Sequence, residues 1–212
     1  MRKYIRIGVD LAKNSFQVHA LECEGGRVVS RPLSRAKFRA FFERLEPCLV
    51  GMEACASAHY WGRELTALGH EVRLMPPSYV KPYVKRGKND KVDAEAVCEA
   101  MTRPGMRFVP VKSELQQASL TLHKTRDLLT KQRTMSVNAV RAHLAEFGLV
   151  AAKGIEHVGE LIELAARAGL PAAAMASVRA LEGQLAGIEA SLAGLEEAIE
   201  AEYAACKTSQ LL

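Results

Sequence analysis

The hydrophobic rhythm of this chain changes once, near residue 113, and that change limits the folds open to it. Ahead of it, short runs of β-branched and aromatic residues alternate with stretches of helical spacing; behind it, almost everything reads as helix. YIRIGVD at 4–10 and FQVHALE at 16–22 read as adjacent strands, with Asn14 and Ser15 as turn formers between them. Gly25 and Gly26 turn the chain into a third strand, RVVSRPL. SRAKFRAFFERL then places Phe38, Phe41 or Phe42, and Leu45 at helical spacing, with Ser34 as its N-cap. CLVGMEA reads as a buried strand, SAHYWGRELTALG as a helix ended by Gly69, and EVRLM as a strand stopped by Pro76 and Pro77. Another helix starts near Lys91. A three-strand meander followed by strands alternating with helices predicts an α/β domain over residues 1–112: a mixed sheet with flanking helices.

Beyond the change, SELQQASLTLHKTRDLLTKQRTMSVNAVRAHLAEFG contains no proline, has a good N-cap and ends at Gly148. Farther on, Val178, Leu181, Leu185, Ile188, Leu192, Leu195 and Ile199 alternate steps of three and four, the a/d seam of a heptad repeat. Such a seam packs either on its own domain or on another helix, and its narrowness favours a helical partner. Residues 113–212 are therefore expected to form an all-α coiled-coil region that joins copies of the chain into a homo-oligomer.

Charge divides along the same line. The net charge is +5, yet residues 1–112 carry 20 Lys and Arg against 12 Asp and Glu, while residues 153–212 carry 4 against 9. The front suits a polyanion and the back suits protein. No apolar run approaches the roughly 18 residues of a membrane span, and MRKYIRIGVD reaches Asp10 too soon for a signal peptide. Five cysteines without a CxxC argue against a zinc site and a disulfide framework, and fit a reducing cytoplasm.

Four acids carry the chemistry. Asp10 ends the first strand and Glu53 lies near the end of the fourth, where side chains from neighbouring strands converge in such sheets. Asp90 and Asp93 lie three apart on one helical face. A helix start with solvated bases would account for that pair, and a turn for Asp10. Glu53 would be buried unless paired. Together the four would repel, and Mg²⁺ (or Mn²⁺) would remove that cost and hold a scissile phosphate. Beside the pair, SYVKPYVKRGKNDK interleaves Tyr79 and Tyr83 with Lys81, Lys85, Arg86, Lys88 and Lys91, aromatic faces for unpaired bases and cations for phosphates. Lys13 reads as another phosphate contact. His59, Tyr60 and Trp61 read mainly as packing residues, and Lys124, Arg126, Lys131 and Arg133 as solvated faces.

In this order and at this spacing, GVDLAKNSFQVHAL, GMEACASAHYW and KNDKVDAEA resemble the DEDD transposases of bacterial insertion sequences, strongly over residues 4 to 112 and more loosely beyond. The resemblance implies a ribonuclease H-like (RuvC-like) domain in which Asp10, Glu53, Asp90 and Asp93 form a catalytic tetrad that binds Mg²⁺. It also implies DNA transposition by recombination, in some members guided by a structured noncoding RNA. Family members continue into a C-terminal domain with a serine nucleophile. This chain stops at KTSQLL, where Ser209 matches no nucleophile motif, so the metal domain is expected here without its serine partner. Other classes stay open: a Holliday-junction resolvase-like nuclease, an actin-like phosphotransferase, and a non-catalytic nucleic-acid-binding oligomerisation module. Against the phosphotransferase, Leu11, Ala12 and Lys13 after Asp10 leave little room for phosphates.

Overall fold

A computed structural model describes residues 3–84 and 90–205. A break between Glu114 and Leu115 separates two compact units.

In the first unit, β1 (Arg6–Asp10), β2 (Ser15–Leu21), β3 (Val28–Ser34), β4 (Leu49–Glu53) and β5 (Glu71–Met75) form one sheet in the order β3-β2-β1-β4-β5. The first three strands run antiparallel; β4 and β5 join parallel to β1. This is the mixed sheet expected of a ribonuclease H-like domain. Alternation sorts the side chains. Ile7, Val9, Phe16, Val18 and Leu33 face α1 (Arg35–Phe42) and α2 (Ala58–Ala67), where Phe38, Phe42, Trp61 and Leu65 complete a buried core. Phe38 meets Phe16 and Trp61 edge-on at 4.7 and 4.8 Å, the geometry that sets a ring's positive edge on its neighbour's negative face. The other face carries α4 (Asp90–Ala100), which follows the short α3 (Pro77–Val80) and buries Ala96, Val97 and Cys98 with Met75, Val80 and Met101.

Two glycines let α4 come close. Gly8 and Gly51 are partners across β1 and β4. A methyl group on Gly8 would lie 2.2 Å from the Ala94 carbonyl oxygen and 2.5 Å from the Cys98 nitrogen. On Gly51 it would lie 2.6 Å from the Met101 methyl. Backbone cannot yield as a methionine tip can, so Gly8 is the stricter position.

The second unit holds α5 (Glu114–Ala145), α6 (Val158–Arg167) and α7 (Ala172–Ala205). Arg141 ties the α5–α6 connection by donating to the carbonyls of Ala151, Ala152 and Gly154 at 3.2, 2.6 and 2.6 Å. The α7 seam already has packing partners within the chain. Val178, Leu185, Ile188 and Leu192 are already buried, and Leu181, Leu195 and Ile199 are half-buried. Val178 and Leu185 share a core with Val137, Val140 and Leu144 of α5, and Arg126 pairs with Glu196 at the other end. The two helices thus run antiparallel, and the seam finds its helical partner inside the chain. A heptad row records that a partner exists and is silent on which molecule supplies it. Among the described residues, no helix is long and apolar enough to cross a membrane.

Candidate metal centre

Parallel pairing of β1 with β4 aligns Val9 with Met52, so the next residues, Asp10 and Glu53, emerge side by side at the carboxyl ends of their strands. Both follow a glycine by two, so both point to the face that α4 covers. Asp90 and Asp93 sit in the first turn of α4, where the helix dipole favours negative charge. Because Gly8 lets α4 seat against β1, that turn arrives beside Asp10. One carboxylate oxygen each from Asp10, Asp90 and Asp93 lie within 4.8 Å of one another. Glu53 is not in that tight group, but it lines the same cleft of about 350 Å³ with Asp10, Asp93, Pro77, Ser78, Lys81 and Val84.

The electrostatics match the crowding. Burial first, then Asp93 and Asp90, push the Asp10 carboxyl above its ordinary range. Burial first, then Asp10 and Asp93, push Glu53 the same way. Cys55 feels both acids: desolvation raises its thiol, and Glu53 and Asp10 add to the shift. Among the described residues, no ion pair includes Asp10, Glu53, Asp90 or Asp93. A set of oxygen donors that repel one another at a half-buried cleft fits a hard divalent cation such as Mg²⁺ or Mn²⁺, and with neither sulfur nor imidazole it does not suit zinc.

The surrounding candidates divide. Lys81 lines the cleft, and Tyr79 beside it is 41% exposed. Lys13 and Lys91 are exposed, in the β1–β2 turn and the first turn of α4. Tyr83 is half-buried and carries the Arg103 guanidinium 5.7 Å from its ring centre, so one face is already covered. Lys85, Arg86 and Lys88 lie outside the described residues. His59 takes no part in the cleft: its ring nitrogens meet the Lys112 backbone N–H at 3.2 Å and its Nζ at 3.0 Å. A neutral imidazole accepts at only one nitrogen, so one of these two carries the bond. Gly8 is the residue that sequence reasoning missed. Its only sequence signal is a glycine inside a strand, which marks close backbone approach.

A family model for DEDD transposases of the IS110 type, described as "Transposase", matches residues 7–148. The chain is 50% identical over 200 residues to a "Probable family 20 transposase" of Pseudomonas aeruginosa, covering 92% of this chain and 59% of that protein. It is 42% identical over 165 residues to the transposase for insertion sequence element IS1328 of Yersinia enterocolitica, covering 78% and 49%. With the transposase for insertion sequence element IS1111A of Coxiella burnetii it shares 40% identity over 158 residues, covering 74% and 43%. The chain spans about half the length of the curated relatives it matches.

Proposed function

Because this chain belongs to the DEDD transposases of IS110-type insertion elements, we propose that it supplies the metal-dependent part of a DNA recombinase. Asp10, Asp90 and Asp93, joined by Glu53, hold Mg²⁺ or Mn²⁺ where a DNA strand is cut and exchanged. The observation that carries this reading is the approach of three carboxylates to within 4.8 Å of one another, in a cleft that Glu53 also lines. Bound there, a divalent ion supplies Lewis-acid stabilisation of charge on a scissile phosphate.

The chain's own residues do the rest. β1 and β4 hold Asp10 and Glu53 on rigid strand ends, and the first turn of α4 delivers Asp90 and Asp93. Lys81, at the rim, draws a phosphate toward the acids, and Tyr79 and Lys91, with the basic run Lys85, Arg86 and Lys88, extend that track along DNA or a structured guide RNA. A resolvase-like nuclease could use the same acids, and family membership favours the transposase. Action on DNA in this way would put the chain in the cytoplasm.

Isothermal calorimetry tests the site directly. Asp93→Asn should lower Mn²⁺ affinity at least about tenfold, and the combined Asn/Gln replacement of all four acids should abolish binding. Equal affinity in wild type and the fourfold variant would leave a nucleic-acid-binding module without a metal site. Self-association remains part of the reading, but the α7 seam is spent internally. A second copy would meet the outer face of α5, where Leu128 and Met135, seven apart, are 54% and 70% exposed. Light scattering across a concentration series checks it, and a monomer throughout would remove it.

A further inference from the structure

A cleft of about 1090 Å³ in the first unit has none of the four acids in its lining: it lies between the edge strand β3 and α1, lined by Arg31, Leu33, Lys37, Phe41 and Arg44 among others. Arg31 pairs in register with Val18 and Leu33 with Phe16, both core residues of the α1–α2 face. The cleft therefore opens on the opposite face of the sheet from Asp10 and α4. Three cations border it, all exposed, and no acidic residue lines it. Arg39, in the same helix but not in the cleft lining, is by contrast paired with Glu43 and Glu64 at 2.9 and 2.8 Å. Arg31, Lys37 and Arg44 have no ion pair among the described residues.

We propose that this cleft is a second nucleic-acid site that grips the phosphate backbone of duplex DNA away from the metal centre. It rests on the reading that the chain handles DNA. Charge selects a polyanion: three unpaired cations around a groove without acids release counterions when phosphates enter. The aromatic content selects a duplex over an unpaired strand. The one aromatic ring lining the cleft, Phe41, already has the Arg31 guanidinium 4.8 Å from its centre and Phe42 edge-on at 5.1 Å. The half-buried ring already carries a guanidinium, and the cleft offers no second aromatic to stack an unpaired base, so its contacts fall on a backbone whose bases are paired inside.

The test is fluorescence anisotropy of the full 212-residue chain with a labelled DNA duplex, over a salt series in EDTA. The joint variant Arg31→Gln, Lys37→Gln and Arg44→Gln should weaken binding and flatten the log–log salt slope by up to roughly three units. Lys37→Gln and Arg44→Gln, tested singly at exposed positions, should each remove about one unit and keep the answer readable if the joint variant folds poorly. Arg39→Gln, already paired, should change neither. An unchanged slope in the single and joint variants, in a wild type that binds duplex, overturns this site. A loss confined to single-stranded RNA, or to duplex RNA, overturns the assignment to duplex DNA. No binding of DNA by wild type at low salt would instead overturn the underlying functional reading.

Discussion

Gly8 carries no side chain, yet it decides where two of the four acids stand. An added methyl would meet the backbone of α4 at two atoms, so α4 would have to withdraw, taking Asp90 and Asp93 with it. Gly8→Ala should cost roughly 1–3 kcal/mol of stability and weaken Mn²⁺ binding. Gly51→Ala, opposed by a flexible methionine, should cost clearly less. Paired melting curves and calorimetry check the order, and equal effects would mean that α4 adapts freely. The acids themselves predict a pH dependence in the metal-free chain. Asp10 is raised above its ordinary 3.8 and Glu53 above 4.5, so the folded state binds more protons than the unfolded one just above those values. Stability from these groups is then fully present at lower pH and is lost as pH rises through the raised values. Asp10→Asn removes one such group. In EDTA the variant's melting temperature should gain on wild type as pH rises from 3.5 toward neutrality; a constant difference would contradict the crowding.

At the scale of elements, strands and helices were largely legible because burial imposes a period on sequence, and the first unit buries one face of nearly every element. Even Asp90 and Asp93 could be paired from their spacing alone. Periodicity names the buried face but not what covers it, and the unread features share that cause. Nothing in CLVGMEA and YIRIGVD tells that Gly8 and Gly51 lie in register beneath one helix. Nothing in the tyrosine-rich loop tells that Arg103 claims a face of Tyr83. The α7 seam is the plainest case, since its row of leucines is equally consistent with α5 or with another molecule. The intramolecular answer has a measurable consequence. Leu185→Asp places a carboxylate among Val137, Val140 and Leu144, and should cost roughly 3 kcal/mol or more. It should appear as early loss of helical signal on heating, with or without a change in mass. A mass change with unaltered melting would return the seam to an intermolecular role.

Across the whole molecule, the excess positive charge of residues 1–112 belongs to the unit that carries the acids, and the excess negative charge of residues 153–212 to the helical unit. Nucleic-acid affinity should therefore follow the first unit. Replacing Lys85, Arg86 and Lys88 with Ala should reduce the salt slope of DNA or RNA binding by up to roughly three units. Equivalent changes at Lys124, Lys131 and Arg133 should matter less. Equal effects in a side-by-side titration would extend the footprint along α5.

The placement of acids and basic cleft on opposite faces of one sheet also bears on the elasticity of whatever they hold. Five strands at about 4.8 Å spacing make a slab roughly 2 nm wide, while duplex DNA stays straight over about 50 nm. A straight duplex can touch one face of such a slab and never both. Occupying both faces at once thus requires either two separate duplex segments or one segment kinked around the β3 edge. The two cases differ in stoichiometry and in end-to-end distance. For a duplex dye-labelled at both ends, a one-to-one complex with raised energy transfer means a kink. A complex with two duplexes and unchanged transfer means that the sheet itself keeps two DNA segments apart.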